Sequence, residues 1–156
     1  MCIRDRPKAN FIAILEMIHS KMAMKLALGM GLALAAFSAS AQTVGLTLSG
    51  AQENPPVITA ATAMAAITVA PDGAVSGTIT TTGIDGTMAH IHEGAMGQNG
   101  PVIIPFVKTG DNIWSLPPGA KLTESQLQSF KNGNLYVNVH SDAHKGGEIS
   151  AQLKQP

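Results

Sequence analysis

Short segments in which apolar and polar residues alternate recur along this chain, and they constrain its fold more than any other feature. Such a period of two places successive side chains on opposite faces of a strand, and turns rich in glycine and proline separate the segments. The pattern predicts an all-β fold, an antiparallel Greek-key sandwich or barrel with one short helix. About eight strands are predicted, over residues 43–49, 59–69, 75–82, 87–93, 101–107, 112–116, 134–140 and 147–153.

Two proline positions refine the strand arrangement. Pro71-Asp72-Gly73 separates 59–69 from 75–82 and predicts that these segments pair as an antiparallel hairpin. Pro105 interrupts 101–107, and because proline cannot donate to a ladder, this segment should be an edge strand or contain a bulge.

One helix is predicted before the last two strands. Thr123 can cap it, and Gln126, three residues later, completes a capping box. Leu122 and Leu127 can form a hydrophobic staple around the cap, and Gly133 can end the helix. With only about two turns, the helix needs tertiary packing to form.

The first 41 residues have the layout of an export signal. A start at Met22 or Met24 leads through Lys25 into an apolar run over 26–37, and Ala-Ser-Ala at 39–41 is a small-residue cleavage site. The apolar run is too short for a membrane span, which needs roughly 20 residues. The pattern predicts a signal peptide over 22–41 and a mature domain over 42–156. Residues 1–21 are interpreted as a spurious extension or a longer basic segment before the signal.

The net charge of the predicted mature part limits the classes of partner that it can bind. Residues 42–156 contain eight acidic residues, five lysines and no arginine, which gives a formal charge of −3. With no basic cluster, nucleic acid and anionic lipid are poor candidates as partners. The only cysteine, Cys2, precedes the predicted cleavage site, so no disulfide is expected. A domain of this size can bury a sufficient core without one.

Three histidines are the main candidates for chemistry. His90 and His92 flank Ile91, so alternation places both imidazoles on the face away from the core, and His140 has the same orientation in 134–140. If the two segments are neighbouring strands, the three rings can converge on one copper or zinc ion. Alternatively, they form local hydrogen bonds at outward positions. The sequence leaves this choice open, because it does not show which strands are adjacent.

Other residues near these histidines have two possible roles each. Met88 shares the face of His90 and could be a soft ligand or simply cover the sheet, and His144 in a following turn could be an auxiliary ligand or play no part. Glu93 and Glu148 could orient an imidazole, although exposed charge at strand ends is the preferred interpretation. Asn138 is expected to hold a neighbouring loop by hydrogen bonds.

Several catalytic classes are disfavoured. The glycine-rich loop 94–100 is expected to be mobile or to need positive φ, but it lacks the helix and the Lys-Ser/Thr pair of a phosphate loop. No serine lies in a nucleophile elbow, and no cysteine would remain after export. The sequence therefore predicts a protein that is not an enzyme.

Three sequence blocks carry a resemblance to a known family. They are LSGAQENPPV at 48–57, AHIHEG at 89–94 with NGPV at 99–102, and LYVNVH at 135–140 with GGEI at 146–149. Together they resemble the CHRD domain, which is named from chordin and is common in exported microbial proteins, and the resemblance covers nearly all of 46–153. The chain departs from the family pattern at Lys145, where a proline is typical, and at Ser150-Ala151, where Arg-Gly is frequent.

The resemblance implies a fold and a location more than an activity. The CHRD domains of chordin belong to an extracellular antagonist of bone morphogenetic proteins, whereas the role in microbial members is largely unassigned. A weaker likeness connects the His-x-His strand and the late histidine to the copper half of copper/zinc superoxide dismutase. This chain lacks that enzyme's cysteine pair, zinc loop and guiding arginine.

We therefore expect a secreted or periplasmic CHRD domain over 42–156 that is a binding or structural module of unassigned ligand. Its partner would be an extracytoplasmic ligand or protein, not nucleic acid, and the mature chain would have no membrane span. The alternative is a copper- or zinc-binding protein, with redox activity as an option, that uses His90, His92 and His140.

Overall fold

The computed structural model describes residues 40–155, and in this range nine strands form one antiparallel sheet. The all-β prediction is therefore confirmed, with one strand more than the sequence indicated. The strands are β1 (Gln42–Ser49), β2 (Thr62–Val69), β3 (Val75–Thr82), β4 (Gly86–Glu93), β5 (Val102–Pro105), β6 (Val107–Gly110), β7 (Ile113–Ser115), β8 (Leu135–Ser141) and β9 (Ile149–Leu153). The predicted signal peptide and the segment before it lie outside the described residues, apart from Ser40 and Ala41.

The sheet curls into a nearly closed barrel. Its strand order is β5-β4-β8-β9-β1-β2-β3-β7-β6, so the edge strands are β5 and β6, which are consecutive in the chain. Only Phe106 separates them, and its backbone N–H donates to the carbonyl of Ala89 at 2.9 Å. The Lys108 ammonium donates to the carbonyl of Gly86 at 3.1 Å across the same gap. These bonds satisfy polar groups that an open edge would leave unpaired.

The extra strand arises because the single strand predicted over 101–107 is divided in the structure between β5 and β6. Pro105 lies at the end of β5 on the sheet edge, as its missing N–H requires, and the chain then crosses to the opposite edge as β6. The Pro71-Asp72-Gly73 turn is confirmed, because β2 and β3 pair in register from Thr62↔Thr82 to Val69↔Val75.

The predicted helix is confirmed as α1 (Glu124–Lys131). The Thr123 hydroxyl accepts from the backbone N–H of Gln126, and the Gln126 side chain accepts from the backbone N–H of Thr123, which completes the capping box. Gly133 follows the helix with φ +72°, a conformation that glycine adopts without strain. Phe130 attaches α1 to the barrel and is 2 % exposed.

The core lies inside the barrel and consists of aliphatic side chains with Phe106, Trp114 and Phe130. Ile91, Val137 and Val139 are fully buried there, so the apolar positions of β4 and β8 face inward, as alternation predicts. Polar positions of the same two strands face outward. Among residues 40–155, no helix has the length and apolar character needed to cross a membrane.

Candidate metal centre

The two strands that carry the histidines are hydrogen-bonded neighbours. In the antiparallel pair of β4 and β8, His90 lies opposite Asn138, His92 opposite Tyr136 and Met88 opposite His140. Since opposite and diagonal residues on one face of a sheet are within contact distance, the three imidazoles meet. One potential ligand atom from each of His90, His92 and His140 lies within 4.8 Å of the other two.

Backbone carbonyls fix the orientation of two of the rings. His92 Nδ1 lies 2.9 Å from the carbonyl oxygen of Gly100, and His140 Nδ1 lies 2.9 Å from that of Lys145. A carbonyl oxygen only accepts, so each Nδ1 must carry the proton and each Nε2 has a free lone pair. This is the tautomer that a histidine needs to bind a metal through Nε2.

The Nε2 lone pairs of His92 and His140 lie close to His90. His140 Nε2 accepts a hydrogen bond from His90 Nδ1 at 3.0 Å, a separation close to that of two nitrogens that share one ion with bonds of roughly 2.0–2.1 Å. To bind a metal through this atom, His90 must give up its Nδ1 proton. His92 Nε2 is buried and has no hydrogen-bond partner among the described residues. Tyr136 stacks on the His92 ring at 4.7 Å between centroids and holds its plane. A buried lone pair without a partner is a costly feature that a metal ion would satisfy.

Burial favours the neutral form of two of the three imidazoles, those of His90 and His140. Burial, reinforced by the neighbouring charges of His140 and His92, lowers the pKa of His90 from 6.5 to about 4. Burial also lowers the pKa of His140, against the opposing effect of its bond to the Lys145 carbonyl and with the help of His92. Deprotonated imidazoles are the form that binds metal, so these two rings are available as ligands at neutral pH.

The histidines are less accessible than the sequence predicted. They lie on the outer face of the sheet, but His92 is only 7 % exposed and His140 only 6 % exposed, because the loops after β4 and β8 fold back over them. The loop over 94–100 is clamped, with the Asn54 side chain donating to the carbonyl of Gly97 at 2.7 Å. Gly97 has φ +75°, so the expected positive φ is present in this loop.

The two glutamates near the cluster do not bond to the histidines. Glu93 accepts a hydrogen bond from the Ser129 hydroxyl at 2.6 Å, which ties the end of β4 to α1. Glu148 was expected to be exposed, but it is buried and accepts from Thr59 and Ser141. Burial acts to raise the pKa of Glu148, but the Ser141 and Thr59 hydrogen bonds, with the charge of His144, lower it overall.

Three further residues have distinct positions. Met88 is 46 % exposed and faces outward opposite His140. His144 is outside the cluster of three ligand atoms. Asn138 is 2 % exposed, and its Oδ1 has no partner within residues 40–155, so this oxygen does not contribute to the expected hydrogen bonds with a neighbouring loop. This leaves an acceptor on the face that carries the histidines.

The groups that orient the imidazoles could not be identified from side-chain patterns. The carbonyls of Gly100 and Lys145 belong to the backbone, so no residue type marks them. The sequence reasoning also missed Glu53, which lies in the irregular loop after β1 and is only 8 % exposed. The only sequence feature that marks Glu53 is that it is the one charged residue in an otherwise uncharged segment.

Fold and cluster together define a small antiparallel β-barrel domain with an outer histidine centre. The sequence profile of the family described as the CHRD domain matches residues 44–153. The chain therefore belongs to the CHRD domain family, as the sequence blocks indicated, and the domain is a binding or structural module. No curated protein and no solved structure matches the chain, so the likeness to copper/zinc superoxide dismutase gains no support.

Proposed function

We propose that this CHRD domain is an exported module that binds one copper or zinc ion through His90, His92 and His140. The observation that carries the proposal is the pair of Nδ1-to-carbonyl bonds, which leave the Nε2 atoms of His92 and His140, next to His90, unprotonated and therefore able to bind a metal. Three imidazole nitrogens with an open fourth position suit both metals.

The test is metal titration of the purified protein after removal of metal with EDTA. Isothermal titration with Zn²⁺ and Cu²⁺ should show one equivalent bound, and a His90→Ala/His92→Ala variant should lose this binding. His144→Ala is the matched control, because it removes an imidazole outside the cluster and should retain full stoichiometry. Equal uptake by the wild type and the double variant would refute the proposal.

Met88 distinguishes the two metals. Its thioether lies on the cluster face directly opposite His140, and thioethers bind Cu⁺ but contribute little to Zn²⁺ sites. If the resident ion is copper, Met88→Leu should weaken Cu⁺ binding while Zn²⁺ binding is unchanged. If the Cu⁺ affinity is unchanged, Met88 is not a ligand and only covers the surface of the sheet.

Export is the second part of the proposal. It rests on the basic start, apolar run and Ala-Ser-Ala site in the sequence, and on β1 beginning at Gln42, so that cleavage after Ala41 would leave the whole sheet intact. Mass spectrometry of the protein from periplasm and medium should give a mature N-terminus at Gln42. A chain that keeps residues 22–41 and remains inside the cell would contradict it.

A further inference from the structure

A second candidate site lies in a cleft of about 260 Å³ between the loops at 51–54 and 95–99, above the outer face of β8 and β9. Two side-chain bonds tie these loops together. The Asn54 amide donates to the carbonyl of Gly97 at 2.7 Å, and the Asn99 amide donates to the carbonyl of Asn54 at 2.8 Å. The walls of the cleft are therefore held relative to each other before any ligand enters.

Glu53 lines this cleft as a buried acid that has no counter-ion among residues 40–155. It is 8 % exposed, and its Oε1 has no partner among the described residues. The carboxyl group bonds to the Ser150 side chain and to the backbone of Asn54, and it lies against Gly147, where a Cβ would come within 2.7 Å of Oε2. No lysine, arginine or histidine lines the described cleft. Buried carboxylates are normally paired, so this site lacks a positive charge.

The other polar groups of the cleft offer acceptors. Gln152 uses both amide hydrogens on backbone carbonyls, those of Gly94 at 2.9 Å and Gly133 at 2.7 Å, so its own oxygen remains as an acceptor. The side-chain amides of Asn54 and Asn99 each donate one N–H to a backbone carbonyl, and their amide oxygens remain available as acceptors. The cleft thus has a surplus of acceptor oxygens and one uncompensated carboxylate.

We propose that this cleft binds a primary alkylammonium group, with Glu53 as its counter-ion. An ammonium has three N–H donors and no acceptor, which complements a site rich in acceptors. Its alkyl stem would lie along the apolar lining formed by Ala51, Ala95 and Met96. The ammonium can belong to a free amine or to a lysine side chain of another protein.

The proposed interaction has a definite pH dependence. Burial raises the pKa of Glu53 from 4.5 to about 7, partly offset by the Ser150 and Asn54 hydrogen bonds. Tyr136 is the other titratable residue of the cleft, and His144 lines the adjoining groove. Alkylammonium groups stay protonated to about pH 10, so ionisation of Glu53 should control binding, which should tighten about tenfold between pH 6 and pH 8.

The probe is n-butylammonium chloride, titrated into the full chain by NMR in the presence of EDTA so that no metal can bind the amine. Butanol, which has the same size and no charge, should bind much more weakly. Glu53→Gln should abolish ammonium binding and its pH dependence. Glu124→Gln is the matched control, since this exposed carboxylate lies outside the cleft and should leave binding unchanged.

Two arms separate the ligand sources and protect the test from misfolding. Binding of Nα-acetyl-lysine amide as tightly as butylammonium would identify lysine side chains as ligands, whereas butylammonium alone would indicate free amines. In the wild type, butylammonium should lower the pKa of Glu53 in a ¹³C carboxyl titration. An unchanged pKa, or equal binding of butanol, would overturn the proposal. A His90→Ala/His92→Ala variant should still bind the amine, so this test is separate from that of the metal centre.

Discussion

Replacing Glu53 with glutamine should remove a pH-dependent destabilisation of the free protein. The pKa of this buried carboxyl is raised from 4.5 to about 7, so the folded state holds the proton more tightly than the unfolded chain does. Its contribution to stability is therefore complete below pH 4.5 and is lost as pH rises through 7. At about 1.4 kcal/mol per pKa unit, a shift from 4.5 to about 7 corresponds to a loss of roughly 3 kcal/mol by pH 8. Glutamine stays neutral and avoids this loss.

Urea unfolding at pH 4.5 and pH 8 measures the effect, with EDTA present and no amine. Trp114, the only tryptophan, is 3 % exposed and reports unfolding by fluorescence. The free energy of unfolding of the Glu53→Gln variant, minus that of the wild type, should rise by about 3 kcal/mol between the two pH values. Taking this difference cancels other titrating groups, including His90. If the free energies of unfolding of the variant and the wild type differ by the same amount at both pH values, Glu53 is not a buried acid without a counter-ion.

Three further predictions concern stability. Thr123→Ala removes the helix cap and should cost about 1 kcal/mol of unfolding free energy, measured by urea titration. Ile91→Ala should cost roughly 2–5 kcal/mol because the side chain is fully buried, whereas Met64→Ala, at 72 % exposure, should change the unfolding free energy by less than about 0.5 kcal/mol. The pKa of His90 is lowered to about 4, so the metal-free fold should lose stability as pH falls from 6.5 toward 4, and His90→Gln should reduce this loss in the same titration.

Much of the fold follows from local patterns, because burial of one face decides where strands and turns occur. The β2–β3 hairpin and the capped helix α1 depend on residues close in sequence, and both were predicted correctly. The break at Phe106 was not predicted, because a crossing between opposite sheet edges depends on the closure of the whole barrel. The pairing of β4 with β8 was equally inaccessible, since it joins segments that are distant in the chain.

The orientation of the three candidate histidines was predictable from the sequence, whereas their surroundings were not. Alternation alone placed His90, His92 and His140 opposite the core. Their burial depends on loops whose path is set by backbone hydrogen bonds, and such bonds leave no side-chain signature. For the same reason Glu148 was expected at the surface, although hydroxyl groups from other parts of the chain hold it in the interior.

This dependence on backbone can be tested at Gly100, whose carbonyl orients His92. A Cβ on Gly100 would collide with the carbonyl oxygen of Glu93, so Gly100→Ala must displace the loop and weaken the Nδ1 bond. Loss of such an orienting contact typically costs 10–100-fold in metal affinity, although all three imidazoles remain. Gly45→Ala is the control, because a Cβ there meets no atom within 4 Å. If isothermal titration gives both variants the same zinc affinity, with Trp114 fluorescence showing both folded, the carbonyl does not prepare His92 for metal.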